Sequence, residues 1–105
     1  MKIFENHIIP FKGFACINLF GVLFVRKGAM LSQSTLNHES IHTAQMRELW
    51  YIPFYLLYIL EWLYRLTKSG NAYRSISFEK EAYGNQNDMY YLSVRRESFA
   101  WMKYL

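Results

Sequence analysis

The apolar positions of this chain fall into blocks of different period. Residues 14–26 read Phe-Ala-Cys-Ile-Asn-Leu-Phe-Gly-Val-Leu-Phe-Val-Arg, rich in β-branched and aromatic types, a composition that suits a pleated, half-buried surface. Asn18 to Gly21 marks a turn or bulge inside this block, and Arg26-Lys27-Gly28 closes it. The block predicts a short β-hairpin. Ser32 then stands where an N-cap is needed for a helix running to about Glu48. Pro53 has no N–H to donate and crowds the preceding turn, so it breaks or kinks whatever follows. A second helical run extends from about Phe54 to Thr67, and Lys68-Ser69-Gly70-Asn71 is a loop. Ser75 or Ser77 caps a third helix containing Phe78, Glu79, Glu81, Ala82 and Tyr83. The tail from Met89 to Leu105 reads as one or two short helices, with Ser98 as a cap. No repeat or low-complexity segment interrupts the pattern. The expectation is one α+β domain over residues 1–105, a short N-terminal hairpin packed on three to four helices.

The second helix is unusual. Ile52, Leu56, Ile59, Leu63 and Leu66 make a stripe expected to face the core. Trp50, Tyr51, Phe54, Tyr55, Tyr58, Trp62 and Tyr64 cover much of the remaining circumference. A helix apolar nearly all round needs a second partner: the tail helix, another subunit in a homo-oligomer built through residues 50–66, or the membrane interface. A clean span is not expected. Leu49 to Leu60 is uncharged but short of the roughly 20 residues a span requires, and continuing brings in Glu61 and Arg65, an i,i+4 pair suited to a solvated face.

Composition narrows the picture. At 105 residues the chain has room for one domain. A core that small buries a modest share of its surface, so a bound metal would add stability as well as chemistry. The formal charge of +4 comes from 12 Lys+Arg against 8 Asp+Glu, scattered without a dense basic run, which argues against nucleic acid as a partner. Attraction to an anionic membrane surface stays open. Cys16 is the only cysteine, so no internal disulfide forms, in agreement with a reducing, cytoplasmic setting; its apolar neighbours mark it as a small core residue. Glu5, His7 and Pro10 interrupt the N-terminus too early for a good signal peptide.

The chemistry lies in His38-Glu39-Ser40-Ile41-His42. Two imidazoles four residues apart on a helix face one point in space, a spacing that suits two ligands of one tetrahedral Zn2+ ion. Glu39, offset by one residue, stands beside the metal, where it can take a proton from a metal-activated water. A catalytic zinc takes three protein ligands and keeps one position open. The candidates for the third are Glu61, Glu79, Glu81, Asp88 and His7. Glu79 is favoured: it lies on a separate predicted helix and approaches from another direction, and small Ala82 at i+3 lets that helix come close. Glu81 faces nearly the opposite side and is the alternative. Asn37 or Gln45 could hold a ligand imidazole from behind, Gln45 sharing the metal-facing side with His38.

The motif together with Phe78-Glu79-Lys80-Glu81-Ala82-Tyr83 resembles the gluzincin pattern, in which a glutamate on a following helix is the third zinc ligand. The block is similar to the Phe-Glu-x-x-Ala-Asp segment of the CaaX-type and heat-shock metallopeptidases, where the Glu three residues before Ala ligates; that position is Glu79 here. Tyr83 replaces the usual acidic residue. The chain length and the order of hairpin, motif helix and glutamate helix resemble the minimal single-domain gluzincins, over roughly residues 14–88, with the specific part confined to about a dozen positions. The resemblance implies a zincin-like fold and a zinc metallopeptidase acting on a peptide or protein substrate, with Glu39 as general base. It also implies a Tyr or His that stabilises the oxyanion, for which the chain offers Tyr73, Tyr83 and Tyr90, with Arg74 and Arg95 as cationic alternatives. By the same resemblance, residues 20–26 are the strand that would pair with an extended peptide. The tail, with Asp88 and Glu97, could fold back as a plug over the metal. The competing reading is a non-proteolytic zinc-binding or interaction module with a structural or degenerate site. Retention of Glu39 argues against it, because a structural site needs no base.

Overall fold

The computed structural model describes residues 2–8, 15–95 and 99–105; Phe14, Glu97 and the expected cap Ser98 lie outside them. The hairpin is present as β2 (Cys16–Leu19) and β3 (Val22–Arg26), antiparallel with Leu19 opposite Val22. Phe20 and Gly21 form its two-residue loop with φ of 53° and 86°, the pair of left-handed conformations that matches strand twist. Glycine adopts this freely; Phe20 does not. Its strain is held from outside: its N–H donates to the Tyr55 hydroxyl at 2.9 Å and its ring packs edge-on against Tyr55.

A third strand was not expected. β1 (Lys2–Asn6) pairs parallel with β3, giving the sheet order β1-β3-β2. This corrects the strand assigned to substrate. β3, covering most of residues 20–26, is the central strand with both edges occupied, and β2 is the edge nearest the helices. Asn18 fastens that edge to the motif helix: its Nδ2 donates to Glu39 O at 3.0 Å and to Thr43 Oγ1 at 2.9 Å.

Helix α1 (Gln33–Glu48) begins at the expected cap, Ser32 Oγ accepting from Thr35 N at 3.1 Å. Its buried stripe is His38, Ile41, His42, Gln45 and Met46, the i, i+3, i+4, i+7, i+8 set of one helical face, and three of the five are polar. Trp50 and Tyr51 then turn the chain sharply, both at positive φ (54° and 63°), and Pro53 sits in the first turn of α2 (Ile52–Leu66), where its missing N–H costs nothing.

The orientation of α2 reverses the expectation. Ile52, Leu56, Ile59, Leu63 and Leu66 are all exposed, and Phe54 is the one residue of α2 that is fully buried. The aromatics do the packing. Phe54, Phe78, Met46, Ile76 and Trp101 form the core, with Tyr55 and Tyr58 against it. The ring centroids of Phe78 lie 4.7 Å from Phe54 and 4.6 Å from Trp101. Tyr58 and Phe78 stack with an interplanar angle of 2°. Aromatic rings bury more area per residue than Ile or Leu and gain from such contacts, so a small core takes them first.

The single turn α3 (Ala72–Ser75) leads into α4 (Ser77–Asn85). Neither Ser75 nor Ser77 caps α4 through its own side chain. The cap comes from α2, the Glu61 carboxylate accepting from Ser77 N at 2.6 Å and Ser77 Oγ at 2.8 Å. The tail holds the single turn α5 (Tyr91–Val94) and a 3-10 turn, Ala100–Tyr104. Its described part packs mainly against α4, with Trp101 in the core cluster that also holds Phe54 of α2. Among the described residues the architecture is thus a three-stranded sheet and five helices, two of them single turns.

Candidate metal centre

The site is assembled from α1 and α4. His38 and His42 leave α1 one turn apart, and Glu79 comes from the first turn of α4, where a carboxylate is favoured by the helix dipole. The three side chains converge as expected. Glu79 Oε1 lies 3.1 Å from His38 Nε2 and 3.0 Å from His42 Nε2, and the two Nε2 atoms are 3.0 Å apart. All three residues are buried. Among the described residues they are the one His/Cys/Asp/Glu group spaced to hold a metal ion.

The tautomer of His42 follows from its surroundings. Gln45 Nε2 donates to Phe78 O at 3.0 Å and to Glu81 Oε1 at 2.9 Å. Its Oε1 is therefore the atom 2.8 Å from His42 Nδ1, and must accept a proton from it. Gln86 Oε1 stands at 2.8 Å from His38 Nδ1 in the same way. With both protons on Nδ1, both Nε2 atoms are lone pairs. Two lone pairs and a carboxylate oxygen then crowd one point and need a cation between them. Zinc fits: ligand bonds of about 2.0–2.1 Å at tetrahedral angles place donor atoms about 3.3 Å apart. Without a metal, a proton takes that place. Burial alone would lower the His42 pKa, but hydrogen bonding to Glu79 and its charge outweigh burial and raise it to about 9. Burial likewise opposes ionisation of Glu79, and the hydrogen bonds from His38 and His42 overcome it, holding Glu79 well below the usual carboxylate range.

Tyr58 completes the support. Its hydroxyl donates to Glu79 Oε2 at 2.7 Å, leaving Oε1 to the imidazoles, and burial pushes its pKa up so that it stays a donor. Beside the three residues opens a cavity of about 350 Å³ lined by Glu39, His42, Tyr58, Tyr73, Glu79 and the edge-strand residues Cys16 to Asn18, among others. Glu39 is half-buried at its wall. Burial raises its pKa above the usual range, against the pull of His42 and His38, which suits a group that must accept and then return a proton.

Of the other residues singled out from sequence, Tyr73 reaches the cavity. Tyr83 packs edge-on against the His38 ring at 4.5 Å, with the Arg74 guanidinium 4.1 Å above its own ring. Tyr90 is exposed. Arg95 is engaged elsewhere: it bridges Glu81 and Glu48, its side chain 5% exposed, and so does not serve as an oxyanion cation. Glu81, fully buried, is taken by Arg95, Tyr91 and Gln45 and is not a ligand. Glu61 caps α4. Asp88 caps Tyr90 N through Oδ1 and accepts from Asn37 through its backbone oxygen, so it plugs nothing. His7 is exposed and outside the metal-spaced group. Asn37 supports the site indirectly, donating to the carbonyls of Asn85 and Gln86.

Two contributors escaped the sequence reading, Tyr58 and Gln86. Tyr58 sits in a run of look-alike aromatics. Gln86 had a usable signal: it lies at i+7 from Glu79, as Gln45 lies at i+7 from His38, two turns along one face. No family model, curated protein or solved structure matches this chain.

Proposed function

We propose that this chain is a zinc-dependent metallopeptidase of gluzincin type on a zincin-like fold, with His38, His42 and Glu79 as ligands and Glu39 as general base. The observation that carries the reading is the convergence of three acceptor atoms, with their supporting hydrogen bonds already in place, at the wall of a cavity that holds a free carboxylate. A structural site would need the three acceptors but neither the cavity nor Glu39.

A zinc ion held there supplies Lewis acidity to a water and to a substrate carbonyl. The residues supply the rest. Gln45 and Gln86 keep the imidazoles turned with Nε2 inward. Tyr58 fixes the Glu79 carboxylate. Glu39 accepts the proton of the attacking water and passes it to the leaving amine, a contribution of about 10²–10⁴-fold for a positioned base. Tyr73, hydrogen-bonded to Tyr83 in the resting site, is the cavity hydroxyl that turns to a developing oxyanion, since Tyr58 already donates to Glu79; Tyr83 also packs on the His38 ring. An extended substrate enters along Cys16 and Ile17 of β2, which line the cavity beside Glu39.

The experiment is metal analysis followed by substitution. The purified protein should take up one zinc per chain and cleave an unstructured protein such as casein. Glu39→Gln should retain zinc and lose turnover. A wild-type protein that cannot be loaded overturns the metal centre, and undiminished cleavage by Glu39→Gln overturns the base.

A further inference from the structure

Helix α2 is turned inside out. Its two charged residues point toward the protein: Glu61 caps Ser77, and Arg65 is half-buried with its Nε enclosed. At 100° per residue, the positions from Leu66 through Ile59, Leu56 and Leu60 round to Leu57 sweep about half the circumference. No charged residue falls on that arc, and its aliphatic residues are exposed, from 39% at Leu57 to 63% at Leu60. Isolated exposed aliphatics are ordinary; a continuous uncharged face of this width marks a surface that is covered in use.

Among the described residues the tail does not cover it, being committed to α4 and the core. A second copy is a poor fit. A helix-pair seam takes the positions of Ile52, Leu56, Ile59, Leu63 and Leu66 and leaves Leu57, Leu60 and Tyr64 in water. On a helix about 22 Å long, so narrow a seam falls short of the about 1,000 Å² expected of a stable interface. A bilayer has no such limit of width.

We propose that this face of α2 lies in the plane of an anionic phospholipid bilayer. No helix among the described residues is long and apolar enough to cross a membrane, but α2 has what an in-plane helix needs. Trp50, 84% exposed, stands at its N-terminal end and Tyr64 at the edge of its arc, the residue types that settle at headgroup depth. Lys68 lies 5.2 Å from the Tyr64 ring at the C-terminal end, where its charge meets anionic headgroups. The only acid of the helix, Glu61, is turned away. Phe54 and Tyr58, on the opposite side of the same helix, line the metal-side cavity. Docking therefore holds that cavity within about one helix diameter, 10–12 Å, of the headgroups, in reach of polypeptide emerging at the membrane surface. The docking surface itself does not rest on the metal reading.

The test is flotation of the full chain with vesicles of phosphatidylglycerol mixed with phosphatidylcholine, against phosphatidylcholine alone. The wild-type protein should float with the mixed vesicles and bind the neutral ones about tenfold less. Leu56→Glu and Leu60→Glu should each abolish flotation while keeping the far-UV circular dichroism and melting temperature of the wild type. Lys68→Glu should weaken binding to the anionic vesicles only. Wild-type protein that stays off both vesicles overturns the proposal. If it then sediments as a dimer that Leu56→Glu dissociates, a second copy is the occupant. Flotation undiminished in both leucine variants overturns the assignment to this face. None of these readouts depends on peptidase activity, so a failed zinc assay leaves them intact.

Discussion

The amide of Gln45 determines which nitrogen of His42 faces the metal position. Its Nε2 is committed to Phe78 O and Glu81, so its Oε1 takes the Nδ1 proton at 2.8 Å. Gln45→Leu removes that acceptor and frees the imidazole to change tautomer or swing. Zinc affinity should fall by about 10–100-fold, as for other outer-shell partners of metal-bound histidine, read by competition with a chromophoric chelator. Gln86→Leu should do the same through His38. Unchanged affinity in both variants would show that the imidazoles are held by packing alone.

Zinc uptake should release a proton. In the metal-free protein His42 carries one up to about pH 9, against an ordinary value of 6.5. Because the folded value is raised, the stability this proton contributes is complete below 6.5 and is lost as pH rises through 9. The ion must displace the same proton, so affinity should climb with pH and level off near 9. Calorimetry at pH 7 in buffers of different ionisation enthalpy should report about one proton released per zinc. No release would mean that the lone pairs face each other without a proton, and the account of the site would fail.

Arg95 should matter for stability and not for chemistry. It joins Glu81 and Glu48, and the Glu81 side chain is fully enclosed. Arg95→Met leaves that carboxylate buried without its cation, which costs about 3–5 kcal/mol. Chemical denaturation should show a loss of that size, with little change in zinc stoichiometry for the folded fraction. The pair also sets an acid limit. The bonds from Arg95, Tyr91 and Gln45 outweigh burial and hold Glu81 below its ordinary value of 4.5. Its contribution is present above 4.5 and is lost as pH falls through the lower folded value. Melting temperature should drop more steeply below pH 4.5 in the wild type than in Arg95→Met.

Phe78 touches Phe54, Tyr58 and Trp101 and is fully buried. Phe78→Ala should cost about 3–5 kcal/mol, and because Phe78 O also anchors Gln45, zinc affinity of the refolded protein should fall with it. Phe78→Leu should recover most of both losses, and failure of that rescue would argue against a volume effect.

The hairpin, the capped motif helix and the three converging residues were all legible in the chain, because each rests on local rules: turn chemistry at Asn18–Gly21, Ser32 as a cap, one-turn spacing of His38 and His42. Strand β1 was not, since parallel pairing with β3 brings together segments with no local signal. The facing of α2 was misread for a physical reason. Aliphatic spacing marks an apolar stripe but does not say which of two apolar stripes the core selects. Here the aromatic side, Phe54 and Tyr58, won. Its neighbour Glu61 went inward with it, and a residue read as solvated became the cap of another helix. The converging group His38, His42 and Glu79 was found and its supports were half found, Gln45 by its register with His38 and Tyr58 not at all.

That borrowed cap bears on the order in which the chain assembles. A nine-residue helix is too short to persist alone, and α4 begins on a carboxylate supplied by α2. The two histidines are placed by α1 as soon as that helix forms, whereas Glu79 arrives only when α2 has docked. Folding should therefore pass through a stage in which the imidazole pair is ready and the carboxylate is missing. Zinc added at the start of refolding would meet a two-coordinate chain and close the domain around itself. In stopped-flow refolding, Glu61→Gln should slow the Glu79-dependent zinc signal and leave the early helical signal of α1 unchanged; equal slowing of both would place the cap in the first step instead.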